Sequence, residues 1–152
     1  MNDKYYYMSL ALKEANKAYN KDEVPVGCII VSRGTIIAKA YNNKVSKNDP
    51  TAHAEVECIK KACKKLNSSY LNECEMYVTL EPCLMCAGSI INSRIKKVYI
   101  GTKDPKGGSF GSNIDVTIIK GLNHYPKVEI GILEDECSSI LKNFFKAKRK
   151  QK

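Results

Sequence analysis

A chain of 152 residues, 43% hydrophobic and 27% charged, suffices for one globular domain with its own core and is short for two. No apolar run is long enough to span a bilayer, and the first 21 residues lack a basic-then-apolar leader pattern, so no membrane role and a cytoplasmic setting are expected. The net charge of +9 comes almost wholly from lysine; it fits a polyanionic partner such as nucleic acid, and equally a merely solvated surface.

Asp3 to about Lys21 places Tyr7, Leu10, Ala11, Ala15 and Ala18 at helical spacing, which predicts an amphipathic helix. Val26 to Val31 is a short apolar run rich in branched residues, the pattern of a strand covered on both faces. A turn at Ser32-Arg33-Gly34-Thr35 leads to a second strand, Ile36 to Tyr41, and the two form a hairpin. Asn42 to Pro50 is polar and irregular. Thr51 is expected to cap a helix whose apolar face is Cys58, Ile59, Ala62, Cys63 and Leu66. A strand at Met76 to Leu80 follows, then a helix to about Asn92 with Pro82 in its first turn. Val98 to Ile100 is a further strand. Gly101 to Ser112 holds three glycines beyond its first residue and lacks the closing Gly-Lys-Ser/Thr of a P-loop, so it reads as a flexible turn. A last strand at Val128 to Leu133 and a basic helix from about Glu134 complete a single expected domain, 1–152. Strands alternating with helices, plus one hairpin, predict an α/β layer structure on a mixed sheet.

Seven cysteines, an odd number without a leader, argue against a disulfide framework. Cys28, Cys58, Cys63, Cys74 and Cys137 read as small buried apolar residues. Cys83 and Cys86 are different. Their C-x-x-C spacing at a helix start lets both sulfurs reach one ion, and a helix N-terminus favours thiolate. Alone, that spacing also fits a redox pair or half of a structural zinc site. His53, at the corresponding start of the preceding helix, is the natural third ligand, leaving a tetrahedral ion one open position. If His124 were a fourth ligand, the site would be closed and structural. Glu55, two residues after His53, is either an acid favoured by the helix dipole or a proton carrier for metal-activated water.

His53-Ala54-Glu55 with Pro82-Cys83-Leu84-Met85-Cys86 resembles the signature already described for zinc nucleobase deaminases. Glu23-Val24-Pro25-Val26-Gly27, Asp49 to Glu55, Tyr77 to Cys83, Cys86-Ala87-Gly88, Ser93-Arg94-Ile95 and Leu122-Asn123-His124 extend the resemblance. They are similar to the bacterial tRNA-specific adenosine deaminases over nearly the whole chain. That resemblance implies a three-layer α/β/α cytidine deaminase-like fold with a central mixed five-stranded sheet. It implies a homodimer with one Zn2+ per subunit, held by His53, Cys83 and Cys86. The implied reaction converts adenosine to inosine at the wobble position of an arginine tRNA, on the anticodon stem-loop. Attack falls at C6 of the base, and Glu55 carries protons to N1 and then to the departing ammonia. Asn42 is implied to contact the target nucleoside and Asp104 a nearby ribose.

The sequence departs from that family at Tyr125-Pro126, where arginine commonly follows the histidine, and at Ser112-Asn113-Ile114-Asp115. Both departures bear on RNA contact or packing rather than on the reaction. A guanine or cytidine deaminase shares the zinc signature and remains an alternative, as does a non-catalytic zinc-stabilised RNA-binding module. The basic tail Lys146 to Lys152 is either a phosphate contact or a solvated end.

Overall fold

The computed structural model describes residues 3–151. The elements are α1 (Asp3–Asn20), β1 (Gly27–Ser32), β2 (Thr35–Tyr41), α2 (Ala54–Leu66), β3 (Cys74–Leu80), α3 (Leu84–Ser93), β4 (Lys97–Thr102), β5 (Lys127–Ile130) and α4 (Glu134–Lys150), with a 3-10 turn at Val116–Ile118. Among the described residues no helix is long and apolar enough to cross a membrane.

The strands form one sheet in the order β2-β1-β3-β4-β5. β1 pairs antiparallel with both β2 and β3, whereas β3, β4 and β5 run parallel. The hairpin closes through Arg33 and Gly34, both at positive φ, the turn whose twist matches paired strands. β1 sits between two neighbours and is buried along Gly27–Val31, as its unbroken apolar run requires.

Strand alternation sorts the core into two layers. Cys28 and Ile30 of β1, Met76 and Val78 of β3, and Val98 and Ile100 of β4 face one side, where they meet Cys58 and Ala62 of α2 and Ala87 and Ile90 of α3. Ile29, Val31 and Tyr77 face the other side, against Met8 and Ala11 of α1 and Cys137 of α4. The result is the expected α/β/α arrangement on a mixed five-stranded sheet. Each large side chain so buried contributes roughly 1.5–3 kcal/mol.

Two helix starts differ from expectation. α2 begins at Ala54 with His53 as its N-cap residue, not at Thr51. Asp49 Oδ1 accepts both the Thr51 N–H and the Thr51 hydroxyl, at 2.8 and 2.7 Å, and this local turn holds Thr51 ahead of the helix. α3 begins at Leu84 with Cys83 as N-cap residue, so Pro82 precedes the helix. Cys74 lies inside β3, buried. The basic tail is helical to Lys150, and Lys152 lies outside the described residues.

Candidate active site

The two helix starts that differ from expectation are the site. β3 ends at Leu80, where Glu81-Pro82-Cys83 turns the chain into α3, and α2 starts alongside it. His53 and Cys83 both hold extended backbone at N-cap positions, and neither side chain is used to cap its helix. Both are thereby free to point at a common centre. His53 Nδ1 lies 3.6 Å from Cys83 Sγ and 3.5 Å from Cys86 Sγ. The three donor atoms all fall within 4.8 Å of one another, a group that could hold a metal ion. His124 is not part of it: its Nε2 is 2.6 Å from the Ile95 carbonyl oxygen. The closed four-ligand arrangement therefore does not form.

The electrostatics follow from this crowding. Hydrogen bonding from Cys86 outweighs burial and, helped by His53, lowers Cys83 to about 4. The same pairing, with burial and the nearby Glu55, pushes Cys86 up. His53 is raised, chiefly by its contact with Cys83. Glu55, in the first turn of α2, is 4% exposed, and burial pushes its carboxyl up to about 7.

His53, Glu55 and Cys83 border a cavity of about 210 Å³. Val24, Val26 and Leu80 give it apolar walls, while Asn42, Lys44, Glu81 and Asp104 supply polar atoms. A mostly apolar pocket with a few convergent polar groups suits a small ligand. Asn42 is held in place, its Nδ2 donating to the Val24 carbonyl at 3.1 Å and its Oδ1 accepting from Lys44 N–H at 3.3 Å. Asp104 Oδ1 accepts from the Lys106 and Gly107 N–H groups at 3.1 and 3.2 Å. All six residues singled out in the sequence, His53, Cys83, Cys86, Glu55, Asn42 and Asp104, therefore meet at one place.

A wider groove of about 830 Å³ shares Val24, Leu80 and Asp104 with this cavity and continues past Lys103, Lys106, Phe145 and Arg149. It joins the basic end of α4 to the mouth of the site. Lys44 and Glu81 were not singled out by sequence reasoning. Lys44 is one lysine among many, and Glu81 reads as a neighbour of the Pro-Cys motif until its partners are seen.

The MafB19-like deaminase family model matches residues 2–149. A tRNA-specific adenosine deaminase of Aquifex aeolicus is 49% identical over 146 residues, covering 96% of each chain. A chain solved in work on A-to-I editing by tRNA:A34 deaminases at the wobble position of transfer RNA superposes with a TM-score of 0.87. It is 43% identical and covers 90% of this chain and 99% of its own. A guanine deaminase from Bacillus subtilis superposes less closely, with a TM-score of 0.64 and 33% identity, covering 95% of this chain and 92% of its own.

Proposed function

The chain belongs to the MafB19-like deaminases and, within them, to the tRNA-specific adenosine deaminases, and from this premise we propose that it hydrolyses adenosine to inosine at the wobble position of a tRNA. The observation that carries the reading is the convergence of His53, Cys83 and Cys86 beside Glu55 at a cavity open to a basic groove.

The donor set fits zinc. Zn–S and Zn–N bonds of about 2.3 and 2.05 Å in a tetrahedron put sulfur and nitrogen about 3.6 Å apart. The observed separations are 3.6 and 3.5 Å. His53, Cys83 and Cys86 would hold one Zn2+, leaving a fourth position open. Bound there, zinc supplies a Lewis acid that makes water a nucleophile near neutral pH.

The protein's own groups then divide the work. Glu55 takes a proton from the attacking water and delivers it to N1 of adenine as oxygen bonds to C6. It carries the second proton to the amino group, which leaves as ammonia when the C6–N bond breaks. Water and adenosine become inosine and ammonia, with Glu55 returned to its starting state. The apolar walls Val24, Val26 and Leu80 exclude bulk water from the base. Asn42 fixes the nucleoside, and Asp104 accepts from a ribose hydroxyl beside it.

An anticodon loop presents its bases unpaired, so no duplex has to be opened. Lys103, Lys106 and Arg149, with Phe145 exposed among them, offer phosphate contacts and a stacking surface along the groove. The reading extends to a homodimer of single deaminase domains, residues 1–152, acting in the cytoplasm on an arginine tRNA.

The test is to offer zinc-loaded protein an anticodon stem-loop with adenosine at the wobble position, guanine and cytidine in parallel, and to follow ammonia. Release from the stem-loop is expected. Release from guanine or cytidine alone would replace this reading with a free-base or nucleoside deaminase.

A further inference from the structure

Four donors from one loop converge on a single buried carboxylate. Glu81 lies between the end of β3 and Cys83 and is 2% exposed. Its Oε1 accepts from Asp104 N–H at 3.1 Å and from the Ser112 hydroxyl. Its Oε2 accepts from Phe110 N–H at 2.9 Å and Ser112 N–H at 3.2 Å. An ionised carboxylate has about four lone-pair positions, and here each oxygen already has two donors. Glu81 therefore borders the cavity with no acceptor to spare for a ligand.

The loop was expected to be a flexible turn, and it is instead wrapped around this carboxylate. A Cβ on Gly108 would stand 2.3 Å from Glu81 Cδ, so only glycine lets the loop close so tightly. Gly108 N–H in turn donates to the Asp104 carbonyl at 2.8 Å, and Glu81 N–H donates to the Thr102 carbonyl at 2.9 Å. Asp104 is thus tied at its N–H, its carbonyl and its Oδ1, and among the described residues its Oδ2 receives no protein donor.

Glu81 is also two residues from Cys83. One short stretch of backbone therefore links the metal-donor group to the loop bearing Asp104. We propose that Glu81 is a positioning residue for deamination: by gathering the 104–112 loop, it fixes Asp104 at a set distance from the His53–Cys83–Cys86 centre. The proposal rests on the reading of Asp104 as an RNA contact. Glutamine at position 81 keeps the size but turns one oxygen into an NH2, which meets two donors with a donor. The loop then loosens, and the ribose contact is lost without disturbing the proton transfers.

The test uses zinc-loaded full-length protein and the anticodon stem-loop, with metal content measured beside kinetics. Glu81→Gln is expected to raise KM about tenfold and Ser112→Ala about threefold, with kcat within about twofold and metal unchanged. An interaction made alike in ground and transition states has this signature. In an Asp104→Ala background, either substitution should add little, because all three act through one contact. A merely structural role would lower the active fraction, and so kcat, while leaving KM alone. Unchanged KM, additive effects in the double variants, or loss of metal would each overturn the proposal. Should Glu81→Gln fail to fold, Ser112→Ala with and without Asp104→Ala decides the question by the same criteria. If the unsubstituted protein leaves the stem-loop untouched, it is the functional reading that fails.

Discussion

Replacing Glu55 by glutamine should remove proton transfer and little else. Glu55 is 4% exposed, borders the cavity beside His53 and Cys83, and forms no salt bridge among the described residues. Glutamine has nearly the same volume, so no charged partner is stranded and no void opens. Losing an acid from the first turn of α2 costs under about 1 kcal/mol of dipole stabilisation. A positioned proton carrier typically contributes about 10²–10⁴-fold to the rate, or about 3–5 kcal/mol. The interaction exists only as protons move, so kcat and kcat/KM should fall together by that factor. Inosine formation on a stem-loop measures the rate, while metal stoichiometry and a thermal melt show that the site and fold are intact. Turnover within about fivefold of the unsubstituted enzyme, at full metal content, would refute the role given to Glu55.

Replacing Cys83 or Cys86 by serine should reduce bound zinc well below one per chain; undiminished stoichiometry by metal analysis would show the ligands to be misassigned. RNA affinity should fall steeply with salt, with a log–log slope of roughly −0.7 per single-strand phosphate contacted, and a flat response in a binding titration would contradict the basic groove. Acid stability should depend on Glu23, which is 1% exposed and accepts from Val45 and Ser46 N–H at 3.0 and 2.6 Å. Burial alone would raise its carboxyl, but the Ser46 and Val45 donors more than reverse this and hold it below the ordinary 4.5. A depressed folded value means stability that is present above about pH 4.5 and lost as pH falls through the folded value. Melts of Glu23→Gln should lack that part of the acid-side slope; identical slopes in both proteins would remove Glu23 from the account.

The layers of the fold were legible because their signals are local. The 3.6-residue spacing in α1 and the apolar run in β1 each report burial directly. The helix starts were harder. Thr51 has the chemistry of a cap, but its turn with Asp49 lies ahead of the helix, and the cap positions fall to His53 and Cys83, whose side chains face each other instead. Local preference yields there to the site, as strained or functional positions commonly do. His53, Glu55, Cys83 and Cys86 were visible as a spacing, because His-x-Glu and Cys-x-x-Cys are set by short helix turns, whereas Asn42 and Asp104 came only from the family resemblance. Glu81 and Glu23 were not visible. Each meets its loop across more than 20 residues of sequence, at Asp104 to Ser112 and at Val45 to Ser46, and no local pattern records such a contact. The family departure at Ser112-Asn113-Ile114-Asp115 begins on one of the residues Glu81 holds, and the other places Tyr125 Oη against Ile119 O at 2.5 Å and Leu122 N–H at 3.1 Å. The first departure thus falls in the loop that Glu81 gathers, and the second in a turn that Tyr125 closes on itself.

The target is one adenosine, at the wobble position of a tRNA. Sequencing the tRNA pool of cells with and without this protein tests it most directly, since inosine is read as guanosine. Conversion is expected at the first anticodon position of an adenosine-bearing tRNA, present with the protein and with its Ser112→Ala variant, and lost with Glu55→Gln. Adenosine unchanged at that position in cells that contain active, zinc-loaded protein would contradict it.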